Sequence, residues 1–161
     1  AAVRINGNWR PEDVFCVNDD PIENLLATVG ADVFVCGYPS PHYAFPYAPI
    51  WRRGSFAYEP GMPLDGKPIF LIDAQVSKGM SGSAIFQRWF GPAPIQRGAE
   101  IEMLQARVIT QRFIGVYGGR VQDEATGPIG YGWYGERLTN VISGQGTPSQ
   151  LLSPFRDNRP A

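Results

Sequence analysis

Glycine and proline interrupt this chain at short intervals along almost its whole length. The 161 residues include 19 glycines and 15 prolines, about a fifth of the chain against a usual share of roughly 12%. Both residues weaken the interior of a helix, and no repeat period organises them here. The sequence therefore predicts many short strands joined by turns, and not a bundle of long helices.

Short apolar runs of strand length lie between these interruptions. We predict seven strands, at 13–17, 32–39, 50–58, 69–73, 84–86, 103–108 and 113–117, with a loop from about residue 90 to 98. One helix is predicted over 136–143, because apolar residues recur there at helical spacing and Gly144 is placed as its C-terminal cap. The pattern favours an all-β fold, either a small barrel or a sandwich.

The overall composition limits the classes of partner. Hydrophobic residues make up 43% of the chain and charged residues 18%, which predicts a folded globular protein. A formal net charge of -1 gives no electrostatic case for binding nucleic acid or an anionic membrane. No apolar run approaches the length of a membrane span.

Cysteine and histidine are scarce. Cys16 and Cys36 each lie in an apolar strand-like run, so they are either buried free thiols or a single disulfide. Together with one histidine, His42, they cannot form a structural zinc site, and we expect no metal and no cofactor. His42 lies in a proline-rich loop, where a histidine is usually solvated, although a general base is the alternative.

Two further patterns suggest binding sites, and we reject both. Residues 130–135 match the dinucleotide fingerprint G-x-G-x-x-G, but a polar turn precedes them and bulky aromatic residues fill the spaces, so we predict a glycine-aromatic loop. Residues 51–53 combine a tryptophan with two arginines, as in single-stranded nucleic acid sites. Nothing else basic clusters in the sequence, so we interpret them as an exposed strand face.

The serine at position 81 stands between Gly79 and Gly82. A glycine two residues before a serine allows a tight turn whose N–H groups point to one side. Such a turn can present a hydroxyl beside free amides, which a nucleophile for acyl transfer requires. A chance match remains the alternative, since glycine and serine are common turn residues. The α/β-hydrolase elbow is excluded, because Ser83 stands where that motif needs glycine and a strand-like run follows.

Residues 73–86 as a whole resemble the nucleophile region of bacterial trypsin-like serine peptidases, which have the chymotrypsin fold. Those proteins typically show an aspartate at the position of Asp73, then G-x-S-G and a hydrophobic strand. Three other segments resemble the family in matching order. They are 13–15, similar to the strand that carries the triad aspartate, 32–39, similar to a strand ending in Gly-Tyr-Pro, and 113–120, similar to the strand that borders the substrate cleft.

The resemblance implies a role for each matching residue. Ser81 would be the nucleophile, and the N–H groups of Gly79 and Ser81 would form the oxyanion hole. Asp13 would orient a catalytic histidine. The primary specificity pocket would be lined by Gln75, Val76 and Ser77, and the edge at Gly118 and Gly119 would pair with the substrate backbone. No acid stands in that wall, so we expect a smallish apolar residue before the cleaved bond, and not arginine or lysine.

One departure from the family pattern concerns the histidine. In the family it precedes the aspartate, whereas no histidine precedes Asp13 here and His42 follows it. Either an N-terminal segment or a separate chain supplies the histidine, or the catalytic base has been lost. The chain starts at Ala1, inside a strand-like run, which favours the first explanation. We therefore expect this chain alone to be weakly active or inactive.

The resemblance also implies a domain organisation. Residues 1–20 would be remnant strands of a first β-barrel, 21–30 a connecting segment, 31–135 a second antiparallel barrel with the nucleophile loop, 136–144 a short C-terminal helix and 145–161 a polar tail. The expected function is that of a serine endopeptidase acting on polypeptides. The alternatives are a pseudo-peptidase that binds extended peptides by strand addition, and an all-β structural or assembly domain.

Overall fold

The computed structural model describes residues 24–39, 48–105, 109–121, 129–136, 138 and 143–144. The elements of this part are strands, which confirms the all-β prediction. They are β1 (Asp32–Gly37), β2 (Ile50–Phe56), β3 (Ile69–Asp73), β4 (Ala84–Phe90), β5 (Ala93–Arg97), β6 (Glu100–Leu104), β7 (Ile109–Arg120) and β8 (Ile129–Tyr134). The strand predicted at 13–17 lies outside the described residues.

Six of these strands close into an antiparallel barrel in the order β1-β2-β3-β8-β7-β4. Because β4 returns to lie beside β1, the run β4-β1-β2-β3 is a Greek key. Closure pairs the strands on both sides and so removes the exposed edges of an open sheet. The remaining two strands, β5 and β6, form a separate hairpin inserted between β4 and β7.

The hydrophobic core fills the barrel and extends beyond the strands. Along β1 the side chains alternate between partly exposed and buried, and Val33 and Val35 are fully buried, as expected for a strand with one face toward a core. The same cluster includes three residues that follow β3 along the chain, namely Ala74, Val76 and Met80. The segment between β3 and β4 is therefore anchored to the barrel interior.

Residues 130–135 were predicted as a loop, and this was wrong for most of them, because β8 covers 129–134. Its glycines lie where the barrel leaves no room for side chains. A Cβ atom at Gly132 would lie 2.4 Å from Cζ of Phe70, and one at Gly130 would lie 2.8 Å from Cε2 of Tyr117. The glycines thus make space for large rings inside the barrel wall, and they do not form the strand-to-helix turn of a dinucleotide site.

The β5–β6 hairpin also differs from the prediction. Residues 93–97 were expected to be loop, but they pair along their whole length with β6 around a turn at Gly98, which has a φ of 63°. The strand predicted at 103–108 begins earlier, at Glu100. Its large apolar residues, Ile101 and Met103, are exposed, so β6 lacks the buried apolar residues on which the prediction relied, whereas Ala93 and Ile95 of β5 are buried.

The structure describes only a few residues of the predicted C-terminal helix. Residues 135, 136 and 138 are helical, and residues 143 and 144 form a turn in which Gly144 has a φ of 71°. The rest of the predicted helix and the tail at 145–161 lie outside the described residues. Within the described ranges, no helix is long and apolar enough to cross a membrane.

Candidate functional site

The candidate nucleophile lies in the segment 74–83, called the serine loop here, which connects β3 to β4. The loop contains two consecutive turns. In the first turn the Met80 N–H donates a hydrogen bond to the Ser77 carbonyl oxygen at 3.4 Å. Its third residue, Gly79, has a φ of 93°. A positive φ at this position is typical of a type II turn and favours glycine strongly.

The second turn repeats the same geometry and places Ser81 at its corner. The Ser83 N–H donates to the Met80 carbonyl oxygen at 3.0 Å, and the third residue, Gly82, has a φ of 88°. Ser81 is therefore the second residue of a turn, where a side chain points away from the barrel. Accordingly Ser81 is exposed, while its neighbour Met80 is fully buried.

Contacts on both sides hold this second turn in place. The Gly82 N–H donates to the Tyr117 carbonyl oxygen at 2.7 Å, and the Tyr117 N–H donates to the Ser83 carbonyl oxygen at 2.8 Å, which joins the loop to β7. On the other side the Ser83 side chain lies over Gly37 at the end of β1, where an added Cβ would be only 1.8 Å from the Ser83 Oγ. The loop is thus fixed between two barrel strands.

The amides around Ser81 divide into two groups. Those of Met80, Gly82 and Ser83 donate to the carbonyl oxygens given above. Those of Gly79 and Ser81 donate no hydrogen bond to any group in the described part of the chain. The N–H of the exposed Ser81 and that of Gly79 thus have no acceptor among the described residues, and these are the two positions that the resemblance assigned to an oxyanion hole.

Asp13, the expected orienting aspartate, lies outside the described residues. So does His42, which the sequence offered only as an alternative general base, since the triad histidine was expected from an N-terminal segment or a separate chain. Tyr117, which adjoins the loop, is a poor candidate for the base. Burial raises the pKa of its hydroxyl, and although the nearby Arg120 guanidinium opposes this, the group stays protonated at neutral pH.

The predicted specificity wall, Gln75 to Ser77, lies on the barrel-side part of the serine loop. Gln75 is exposed and Ser77 is half-buried, but the Val76 side chain belongs to the core, so only its backbone borders any site. Two arginines contact this wall. The Arg52 Nη2 donates to the Ser77 Oγ at 3.3 Å, and the Arg120 Nη2 donates to the Val76 carbonyl oxygen.

The predicted substrate edge, Gly118 and Gly119, lies in β7 next to the loop. The Tyr131 ring packs against these glycines, and a Cβ at Gly118 would lie 2.2 Å from Cε2 of that ring. Pairing between β7 and β8 shifts register between Tyr117 and Gly119. On the β4 side the hydrogen bonds end at Tyr117, so in the described structure residues 118–120 have no strand partner on that side.

Sequence reasoning did not assign Arg52 or Arg120 to the site. It treated residues 51–53 as one exposed face, whereas alternation along β2 places Arg52 on the face opposite to Trp51 and Arg53. Trp51 and Arg53 are indeed exposed on the outer face, where Arg53 pairs with Asp32 through two hydrogen bonds of 3.0 and 2.7 Å. The alternation itself was the signal that could have separated Arg52 from its neighbours.

The described ranges contain no candidate metal site and one cysteine, Cys36. They contain no group of three or more histidine, cysteine, aspartate or glutamate side chains that could hold a metal ion. The Cys36 thiol is free and half-buried on the outer face of β1. Burial raises the pKa of this thiol, and the positive charge of Arg88 partly offsets the shift.

Comparisons with protein-family models, with curated proteins and with solved structures gave no match to this chain.

Proposed function

We propose that this chain carries the nucleophile of a serine endopeptidase of the chymotrypsin fold, with Ser81 as the attacking residue. The observation that carries the proposal is an exposed Ser81 at a turn corner whose own N–H, like that of Gly79, donates no hydrogen bond within the described residues. Preorganised N–H donors of this kind stabilise the negative charge that develops on a carbonyl oxygen during acyl transfer. A closed antiparallel barrel, the fold that the sequence resemblance implies, adds support.

The reaction would proceed through an acyl-enzyme. The Ser81 Oγ attacks the scissile carbonyl carbon while a histidine takes its proton, and the amides of Gly79 and Ser81 bind the resulting oxyanion. The carbon–nitrogen bond then breaks as the histidine returns the proton to the leaving amine. Water attacks the ester in the same way, releases the acid and restores the serine hydroxyl. The histidine comes from outside the described residues, on this chain or on another segment.

A serine-reactive fluorophosphonate probe tests the nucleophile. We expect the 161-residue chain to label slowly, because a serine hydroxyl without a base is a weak nucleophile, and to label faster when free imidazole is added as a substitute base. Ser81→Ala should abolish both rates. Ser83→Ala is the matched control, since it alters a neighbouring serine whose hydroxyl faces Gly37, and it should still label.

The base can be tested in the same assay. If labelling without imidazole is fast and is lost in His42→Ala, His42 supplies the base and no additional segment is needed. No labelling of the folded chain at any imidazole concentration would contradict the peptidase proposal.

A peptide-binding module without catalysis is the second candidate. The unpartnered edge of β7 at 118–120 favours it, because an extended peptide can add to such an edge as a further strand. Peptide binding combined with the absence of Ser81 labelling would support this module over the enzyme.

A further inference from the structure

The serine loop lies in a positively charged environment. Residues 74–83 contain no carboxylate and one cation, the exposed Lys78. Arg52 and Arg120 reach the loop from β2 and β7 and contact Ser77 and Val76. An anionic group beside Ser77 would therefore meet the Arg52 guanidinium, with Arg120 at the neighbouring Val76, while the carboxylate of Asp73, directly before the loop, is exposed at the end of β3.

Arg52 approaches the loop from the interior face of the barrel. It stands directly opposite Val35 in the β1–β2 register, and directly opposed residues share a face of the sheet. Val35 is fully buried, so Arg52 also starts on the inner face, yet its side chain is exposed. The long side chain thus leaves through the open end of the barrel, where its Nη2 atom meets the Ser77 hydroxyl.

The Arg52 guanidinium has few partners among the described residues. There it donates one hydrogen bond of 3.3 Å, to a neutral hydroxyl, although a guanidinium has five N–H donors that match a carboxylate. Neither Arg52 nor Arg120 forms an ion pair with a carboxylate of the described residues. The adjacent Arg53 differs, because Asp32 binds it through both carboxylate oxygens.

We propose that the serine loop selects a substrate with aspartate or glutamate on the acyl side of the cleaved bond, and that Arg52 binds this carboxylate. The inference rests on the proposed function, and it replaces the apolar residue expected from the sequence. We expect a substrate carbonyl carbon at the Ser81 Oγ to bring the preceding side chain near Ser77 and Arg52, because Ser77 begins the first of the two consecutive turns that lead to Ser81 and Arg52 contacts its hydroxyl. A carboxylate there gains charge-assisted hydrogen bonds that a neutral amide does not.

Arg120 has a different part in the same site. Its guanidinium donates to the Val76 carbonyl oxygen and so holds the wall against β7, while its charge adds to the local positive potential. Arg120 is therefore a positioning residue, and Arg52 is the residue that contacts the substrate carboxylate.

Peptide binding to the intact 161-residue chain tests the inference. The probes are rhodamine-labelled Ala-Ala-Pro-Glu amide and Ala-Ala-Pro-Gln amide, which differ in one side-chain charge at nearly equal shape, and binding is followed by fluorescence anisotropy. We expect the glutamate peptide to bind about tenfold more tightly at low salt, the typical gain for a hydrogen bond to a charged group. The ratio should fall at 0.5 M salt, because salt screens exposed charges.

Two arginine variants make the test specific. Arg52→Gln should reduce the glutamate-to-glutamine ratio to within about twofold, whereas Arg53→Gln should leave it unchanged, because Arg53 already binds Asp32 on the opposite face. Equal binding of the two peptides by the unmodified chain would overturn the inference. So would an equal loss of the ratio in both variants, since that indicates a general charge effect and not a site.

The peptide assay and the probe assay together allow each of the two proposals to be rejected without the other. Labelling at Ser81 without a preference for glutamate would leave the proposed function standing and reject the acidic specificity. A preference for glutamate that depends on Arg52, without labelling, would support an acidic-peptide binding site and reject the peptidase.

Discussion

The serine loop and the wall formed by β7 and β8 are both rich in glycine, but for opposite reasons. In the loop, Gly82 has a positive φ and open space on all sides of an added Cβ. In the wall, Gly115 is not among the residues with positive φ, but an added Cβ would lie 1.9 Å from the backbone oxygen of Trp133. The loop uses glycine for its backbone conformation, and the wall uses it for its small volume.

The difference shows how the barrel combines a closely packed wall with an exposed turn at Ser81. The wall glycines let Phe70 and Tyr117 pack closely, so that large rings fill the barrel interior. The loop glycines let the chain reverse twice within a few residues and present Ser81 outward. Three buried side chains of the loop, Ala74, Val76 and Met80, belong to the barrel core and so connect the two regions, and Met80 is the largest of them and lies next to Ser81.

The largest effect on stability is expected for a substitution of Met80. Met80→Ala should lower the free energy of unfolding by about 3 kcal/mol, because it leaves a cavity at a fully buried position. Urea denaturation measures the loss. Met80→Leu is the matched control and should cost less than about 1.5 kcal/mol, since it conserves volume. Equal losses in the two variants would mean that the loop does not depend on the core for its anchor.

A smaller loss of stability is expected for a substitution in the wall formed by β7 and β8. Gly115→Ala should cost about 2 kcal/mol, because the new Cβ meets a strand backbone that can move only by disturbing the β7–β8 pairing. In the control Gly135→Ala the added Cβ lies 2.9 Å from Cε1 of Phe113, and the edge of a ring can shift. A loss in Gly135→Ala as large as that in Gly115→Ala would show that close contact alone, and not contact with backbone, sets the cost.

The smallest effect is expected in the serine loop. Gly82→Ala should cost about 1 kcal/mol of backbone strain, since a residue with a Cβ rarely adopts a positive φ. Gly82→Asn should cost less than Gly82→Ala, because asparagine tolerates this conformation better, whereas at Gly115 the larger asparagine should cost more than alanine. The same order of stability at both positions would remove the distinction between the two regions.

The part of the fold that the sequence predicts is the part governed by local pattern. The strand at 69–73 was predicted with its observed bounds, because a continuous apolar run lies between a proline and an acid. A tight turn beside Ser81 was also predicted from local pattern, because the glycines that allow it lie within the turns themselves.

The parts that were missed depend on residues distant in the sequence. β8 was interpreted as a loop because its glycines resemble turn residues until Phe70 and Tyr117 are seen to occupy the space beside them. β5 was missed because it is short and contains Pro94, and the pairing with β6 that makes it a strand is not visible in its own sequence. The contact between Arg52 and Ser77 joins β2 to the serine loop across 25 residues of sequence, and no local pattern records it.

The contact between Gly37 and Ser83 makes the position of the second turn of the serine loop depend on the position of β1. The hydroxyl of Ser83 occupies the volume that any larger residue at position 37 would need, and the carbonyl of the same serine binds the backbone of Tyr117. A change in the spacing of β1 against β4 must therefore displace the turn, and with it the direction in which the Ser81 hydroxyl points. The direction of the Ser81 hydroxyl is in this sense a property of the whole barrel end, and substitutions far from position 81 can change it.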